Sequence, residues 1–154
     1  MNIVLPDGSV KELEEGATVA DVAASIGAGL ARAALAGIVN DTPVDLDAVV
    51  SDGDSVAIVT AKSDEGLELM RHSTAHLLAA ALTDMYPGVK FGVGPAIENG
   101  FYYDIELPEG VTVSPDDFAA IEARMAEIAK SGAPIVRREV SRDEAREIFA
   151  DQPL

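Results

Sequence analysis

The sequence contains no cysteine. It therefore has neither a disulfide framework nor a thiolate that could bind zinc or act as a nucleophile. No apolar run approaches the ~20 residues that a membrane-spanning helix needs. The first ten residues, MNIVLPDGSV, contain no basic stretch followed by an apolar segment, so we see no secretory signal. These absences favour a cytoplasmic protein with no membrane contact.

Basic residues are scarce as well. The chain has 11 Lys and Arg against 27 Asp and Glu, which gives a formal net charge of −16. An acid-rich surface repels phosphate, so the chain as a whole is predicted to bind nucleic acid poorly. The simplest interpretation of the acidity is a solubilising surface. Any RNA contact would be weak and easily lost with added salt, because the one basic cluster is interleaved with acids: Arg137, Arg138, Arg142 and Arg146.

The residues that are present suffice for two small domains. The chain has 154 residues, of which 48% are hydrophobic, enough to form real cores. Residues 1–61 have the pattern of a compact α+β unit, in which Thr18 caps a helix and Asp21 completes a weak capping box. Hairpin, helix and returning strands in this order are typical of a ubiquitin-like β-grasp. The expected parts are strands Asn2–Leu5 and Ser9–Leu13 around the turn Pro6-Asp7-Gly8, a helix that turns Val22 and Ile26 inward and ends at Gly27–Gly29, and strands Ala34–Val39, Val44–Leu46 and Ser55–Thr60.

A polar break at 61–65, AKSDE, separates this unit from a second α+β region at 62–154. A long helix is predicted from Ser63 or Asp64 to about Tyr86, where Pro87-Gly88 ends it. Asn99-Gly100 between apolar runs is the strongest short signal for a hairpin. The expected parts that follow are hairpin strands Val89–Ile97 and Phe101–Leu107, a helix capped at Ser114 with the stripe Phe118, Ile121, Met125 and Ile128 and a stop at Gly132, a strand Pro134–Val140, and a last helix opening at Ser141.

The chain's two histidines, His72 and His76, lie four residues apart in the stretch RHSTAHLLAAAL at 71–82. At about 100° per residue, both fall on the side of the predicted helix opposite its apolar stripe. The residues alone leave two interpretations open, a solvated face or one wall of a cleft, and favour the solvated face. The expected stripe is Leu67, Met70, Thr74, Leu78, Ala81 and Met85, and the expected neighbours of the histidines are Leu69, Ala79, Ala80 and Thr83.

A zinc site is a more specific interpretation of the two histidines, because histidines at i and i+4 on a helix can bind one ion. The metalloprotease pattern H-E-x-x-H requires glutamate after the first histidine, and this chain has Ser73 there. Further ligands would have to be carboxylates or come from elsewhere, so we expect no metal site. A pair of neutral imidazoles could instead hold a water or a ribose hydroxyl, since each ring offers one donor and one acceptor.

A glycine-rich segment, FGVGP at 91–95, lacks the G-K-[ST] ending of a phosphate-binding loop. We expect a strand whose glycines permit close approach of another backbone or of a ligand. In the following FYYDI segment, alternate side chains point to opposite faces of a strand, so Tyr103 is expected on one face and Tyr102 with Asp104 on the other. Aromatic residues at such positions belong to a core more often than to a binding platform.

Several segments carry a resemblance to known families. LPDGS at 5–9, AGIVN at 36–40 and DGDSVAIVT at 52–60 resemble a TGS domain. The run EGLELMRHSTAHLLAAAL, then FGVGPAIENGFYYDIELPEG and VSRDEAREIF, is similar to the start of the editing domain of threonyl-tRNA synthetase. The resemblance is colinear and covers essentially the whole chain. It implies a TGS β-grasp domain at 1–61, followed at 62–154 by an incomplete α+β editing domain with the long HxxxH helix and the hairpin.

The resemblance implies a large, cytoplasmic, homodimeric ligase that joins threonine to its tRNA with ATP. Its editing domain would hydrolyse serine wrongly attached to that tRNA. His72 and His76 match the family's HxxxH editing residues and would be catalytic, while Tyr103 would bind substrate. ATP, magnesium and zinc belong to a catalytic core that this sequence lacks, as it lacks the family's later cysteine- and histidine-containing editing motif. We therefore expect weak tRNA binding and no independent activity. The alternative is an inactive fragment, or a TGS module that binds RNA or protein.

Overall fold

The computed structural model describes residues 1–133, 136, 138–150 and 152. The chain forms two compact units, Met1–Met70 and Arg71–Leu154. Both mix helices and short strands, which confirms the predicted α+β class.

The first unit opens with an antiparallel hairpin, β1 (Asn2–Val4) paired with β2 (Val10–Glu12). Gly8 in the connecting turn has a φ of 81°, a conformation that glycine adopts without steric cost. Asp7 accepts hydrogen bonds from the hydroxyl and the backbone N–H of Ser9, and these bonds lower the pKa of its carboxyl. The predicted hairpin is confirmed; β1 ends one residue earlier than expected, and β2 is one residue shorter at each end.

Helix α1 (Val19–Ile26) follows, and the predicted capping box is present. The backbone N–H and hydroxyl of Thr18 both donate to the Asp21 carboxylate, which holds the pKa of Asp21 below its ordinary value. Val22 is fully buried as predicted, whereas Ile26 is 40% exposed. The expectation for Ile26 was wrong because the helix ends there at Gly27 and a second short helix, α2 (Ala28–Ala33), begins at once.

The central sheet of this unit has the order β4-β3-β5 and is antiparallel. Its strands are β3 (Ala34–Val39), β4 (Thr42–Val44) and β5 (Val56–Thr60), so β4 begins two residues before the predicted Val44–Leu46. A parallel bridge from Val4 to Ser55 places the hairpin beside the entry to β5. This is the predicted β-grasp arrangement, closed by a core of Ile3, Leu5, Val19, Val22, Val50 and Val56.

Helix α1 packs against β3 at a position that has no side chain. A Cβ on Gly37 would lie 2.6 Å from Cγ1 of Val19, which is itself fully buried. Cβ atoms do not approach that closely, so glycine sets the distance between helix and sheet.

The long helix α3 (Asp64–Met85) spans 22 residues, as predicted, and the division between the two units falls within it.

In the second unit the 3₁₀ turn Pro115–Asp117 leads into α4 (Phe118–Ser131), which ends at Gly132 with a φ of 63°. Two nitrogens of Arg124 donate to Asp84 of α3, at 2.6 and 3.0 Å. These bonds raise the pKa of Arg124 above its ordinary value. Helix α5 (Arg142–Ile148) is capped by Ser141, as predicted.

Two expectations for the second unit need correction. Phe118 is 53% exposed, whereas Ile121 of the same predicted stripe is buried. Phe118 is the first residue of α4, where the chain turns out of the 3₁₀ turn, and is not held on the buried face. The predicted strand 134–140 lies partly outside the described residues, and Val136 and residues 138–140 belong to no strand.

Substituting Gly37→Ala should lower the free energy of unfolding by about 1–3 kcal/mol, the usual cost of overpacking, because its Cβ would collide with Val19. Chemical denaturation measures the change. The matched control is Gly29→Ala within α2, where a Cβ meets no atom within 4 Å and φ is not positive. Alanine there should be neutral or stabilising by about 0.5–1 kcal/mol. Equal effects at the two positions would contradict the close-packing explanation.

Candidate functional site

The start of α3 is fixed by hydrogen bonds to the end of β5. Ser63 donates its N–H and its hydroxyl to the carbonyl of Thr60, at 3.1 and 3.3 Å. Its hydroxyl oxygen accepts the N–H of Gly66 at 3.1 Å, so Ser63 is the predicted cap. Gly66 is buried against the same carbonyl, which a Cβ would overlap. These contacts set where the helix begins, and hence where each later side chain points.

The buried side of α3 differs from the predicted stripe. Ala75, Ala81 and Leu82 are buried, whereas Leu67 and Met70 are 39% and 45% exposed. Of the predicted stripe, Ala81 is confirmed, and the two positions at its start were wrong. The buried side is turned toward Ala75 and Leu82 because neighbouring elements, not the helix's own apolar pattern, decide what is covered.

His72 and His76 are both exposed, which confirms that they lie away from the buried side. Their Nε2 atoms are 3.0 Å apart and their ring centroids 4.6 Å apart, with an interplanar angle of 76°. The Nε2–Nε2 distance is that of a hydrogen bond, in which one nitrogen must carry a proton and the other must offer its lone pair. The two rings therefore differ in tautomer: one donates from Nε2 and the other accepts at Nε2.

The helix surface beside the pair is made of short side chains, as the sequence indicated. Ala79 and Ala80 follow His76, and Thr83 turns its hydroxyl back to the carbonyl of Ala79 at 2.8 Å. No long side chain of α3 itself covers the rings from that direction. A hydroxyl or a water can therefore reach Nε2 of either ring, on the condition that it replaces the other imidazole as the hydrogen-bond partner.

The predicted hairpin is present but irregular. Two short ladders form it, β6 (Lys90–Phe91) with β9 (Ile105–Glu106), and β7 (Ala96–Ile97) with β8 (Gly100–Phe101). Between the ladders four residues, 92–95, face three, 102–104, so the register shifts by one. Backbone hydrogen bonds from Gly92 to Asp104 and from Asp104 to Val93 cross this bulge. The extra residue lies in 92–95, opposite the segment that carries Tyr103.

The ring of Tyr103 lies directly over Gly94. A Cβ on Gly94 would lie 2.7 Å from Cε2 of Tyr103, and the ring meets Phe91 edge to face at a centroid distance of 5.4 Å. The group close to Gly94 is this side chain, whereas a backbone or a ligand was expected, and residues 92–95 belong to no strand. Tyr103 is half-buried while Tyr102 is 66% exposed, in agreement with the predicted alternation.

The structure brings some predicted site residues together and leaves others separate. His72 and His76 contact each other. Tyr103 packs on Phe91 and Gly94, and no hydrogen bond or ring contact joins it to either imidazole within the described part of the chain. In that same part, no group of three or more His, Cys, Asp or Glu is arranged to hold a metal ion.

Two features of this region were not predicted from the sequence. One is the packing of Tyr103 on Gly94, for which glycine in an apolar strand was the available signal. The other is Gln152, whose amide hydrogen-bonds to the backbone of the hairpin. A lone glutamine near the end of a chain gives no such signal.

Comparison with known proteins now adds to the geometry. The TGS domain family matches residues 1–60. The first sixty residues are a TGS domain. Over nearly its full length the chain is also homologous to bacterial threonine–tRNA ligases: it is 51% identical to that of Bacillus velezensis over 98% of the chain, 50% to Threonine–tRNA ligase 1 of Bacillus subtilis over 98%, and 49% to that of Enterococcus faecalis over 99%.

The chain spans only about a quarter of these relatives, 23% of the two Bacillus enzymes and 24% of the Enterococcus enzyme. The resemblance that the HSTAH and FYYD segments indicated is confirmed at the level of the family. Among the described residues, no helix is both long enough and apolar enough to cross a membrane.

Adding a side chain at Gly94 should displace Tyr103. Gly94→Ala is expected to destabilise the protein by about 1–3 kcal/mol through overpacking, and Tyr103→Ala by about 3 kcal/mol or less, since the ring is only half-buried. Because the two residues touch, Gly94→Ala should cost much less when Tyr103→Ala is already present. A double-mutant cycle by chemical denaturation measures this coupling. Additive effects would show that the ring does not rest on Gly94.

Proposed function

We propose that this chain is part of a threonine–tRNA ligase and contributes to hydrolytic editing of tRNA wrongly charged with serine. The observation that supports the proposal best is the His72–His76 pair, two exposed imidazoles in hydrogen-bond contact on a helix surface of short side chains. The names of the relatives supply the aminoacyl-tRNA context. Tyr103, held by the hairpin, is proposed as a substrate-binding residue.

The need for editing follows from the size of serine. Serine lacks one methyl group of threonine, and a missing methyl is worth only ~1–3 kcal/mol of discrimination. A synthetic site that fits threonine cannot exclude the smaller amino acid sterically. A second site that rejects threonine by size and hydrolyses the serine ester supplies the remaining accuracy.

The geometry of the pair suggests how it would act. A water or a ribose hydroxyl both donates and accepts, so it can replace the direct Nε2–Nε2 contact and bridge the two rings. The ring with a free lone pair would accept a proton from the attacking water, and the ring with an N–H would donate to the ribose. Water oxygen would add to the ester carbonyl, the bond between acyl carbon and ribose oxygen would break, and the proton would end on that oxygen.

The other activities belong to the longer protein. We propose that aminoacylation with ATP, the binding of threonine, the magnesium and zinc sites, and homodimerisation belong to parts of the ligase outside this chain, and that the protein acts in the cytoplasm. Within the chain we propose a TGS domain at 1–61 and a portion of the editing domain at 62–154. The end of the TGS match at residue 60 and the start of α3 at Asp64 support this boundary.

A second candidate function is binding without catalysis. The TGS domain could dock RNA or protein, and the remaining residues would then have no activity of their own. The match over residues 1–60 supports this alternative. The net charge of −16 indicates that any tRNA affinity of the chain alone would be weak and would fall as salt is added.

Hydrolysis of seryl-tRNA by the longer ligase distinguishes the two candidates. His72→Ala and His76→Ala should each slow deacylation by about 10²–10⁴-fold, the usual contribution of a positioned acid or base. The double substitution should cost little more than either single one, because the rings act as a hydrogen-bonded unit. Release of serine from preformed seryl-tRNA measures the rate.

Two controls complete the design. Glu122→Ala changes an exposed residue of α4 outside the proposed site and should leave deacylation unchanged. His76→Gln keeps a hydrogen-bonding group near the position of Nε2 but cannot take up a proton, so partial activity would indicate positioning and no activity would indicate proton transfer. Full deacylation by the double histidine variant would exclude the proposed role and leave the binding function.

A further inference from the structure

One edge of the hairpin pairs with no other strand in the part of the chain that the structure describes. The N–H of Gly92 donates to Asp104, on the side of β9, at 2.8 Å. Because successive N–H groups of a strand point to opposite edges, the N–H of Phe91 and the carbonyl of Val89 point away from β9. An unpaired edge of this kind accepts another strand or must be covered.

The side chain of Gln152 covers this edge. The Phe91 N–H donates to its Oε1 at 3.0 Å, and its Nε2 donates to the Val89 carbonyl at 3.4 Å. A carboxamide offers a donor and an acceptor in one plane, as a peptide group does, so a single side chain substitutes for a residue of a neighbouring strand. The contact joins residues 61 and 63 positions apart in the chain, and both bonds are partly buried.

Phe91 connects this anchor to the proposed site. Its backbone is held by Gln152, and its ring meets Tyr103 edge to face at 5.4 Å. The Tyr103 ring also rests on Gly94. Two contacts therefore lead from Gln152 to the Tyr103 ring: amide to Phe91 backbone, and Phe91 ring to Tyr103 ring.

We propose that Gln152 is a positioning residue for Tyr103, acting as a surrogate strand on β6 and through the Phe91 ring. Its importance for editing rests on the proposed function, but its effect on Phe91 and Tyr103 does not. Without the amide, β6 loses its second partner, Phe91 shifts, and the Tyr103 ring loses one of its two supports.

The test uses two substitutions of Gln152 and reads two NMR signals. In Gln152→Ala, hydrogen exchange at the Phe91 amide should accelerate about tenfold, as expected for the loss of one hydrogen bond. Exchange at Gly92, whose N–H donates to Asp104, should not change. The ring-proton shifts of Tyr103 should move, because the aromatic ring of Phe91 would no longer lie at the same place. Glu147→Ala, an exposed change nearby, is the control that should alter none of these signals.

Gln152→Glu provides a rescue that a merely structural role would not show. At neutral pH the new carboxylate has no donor for the Val89 carbonyl, and its second oxygen repels that carbonyl oxygen, so the side chain should leave the edge and both signals should resemble those of Gln152→Ala. Below a pH of about 4.3 the protonated carboxyl regains one donor and one acceptor. The wild-type signals should then return in Gln152→Glu and not in Gln152→Ala, at any pH where Gly92 stays protected.

Each possible result of these measurements either supports the proposal or overturns it. Loss and acid rescue of both signals support the proposal. Unchanged exchange at Phe91, or altered exchange with an unchanged Tyr103 ring, overturns it. Neither readout depends on hydrolysis, so a chain without editing activity could still show the positioning, and an active ligase could lack it. Deacylation of seryl-tRNA by the ligase bearing each substitution then reports whether the positioning matters for editing.

Discussion

The arrangement of the proposed site depends on the period of one helix. At 3.6 residues per turn, residues four apart on α3 stand side by side, which places His72 against His76; both rings are exposed, whereas Ala75 and Leu82 are buried. The helix begins where Ser63 caps it against the end of β5.

Features set by local chemistry could be predicted from the sequence. The Thr18 capping box, the hairpin around Asn99-Gly100 and the histidine pair each depend on residues within about four positions of one another. The role of the pair could not be inferred in this way, because exposure alone equally fits a solvated face. The colinear resemblance of the HSTAH and FYYD segments to the synthetase family favours the cleft, and the homologues confirm that resemblance, while the role of the pair stays a prediction.

Features set by contacts between distant residues could not be predicted. Ile26 and Phe118 fit the apolar pattern of their helices but are exposed, because the termini of those helices are not covered. The bulge opposite Tyr103 arises from a register shift of one residue. The sequences of the two apolar strands give no sign of that shift. The anchor from Gln152 to β6 spans 61 residues and involves backbone groups, which every residue has. Both features lie next to Tyr103 or to the residue that its ring contacts.

The central claim is that His72 and His76 form one hydrogen-bonded unit, which nitrogen NMR of the imidazoles tests most directly. At a pH where both rings are neutral, the contact between Nε2 atoms requires one ring protonated at Nε2 and the other at Nδ1. The account predicts two different tautomers, and, when either histidine is replaced, a remaining ring that takes the ordinary tautomer of an unpaired imidazole. Two identical tautomers in the unsubstituted protein would contradict it.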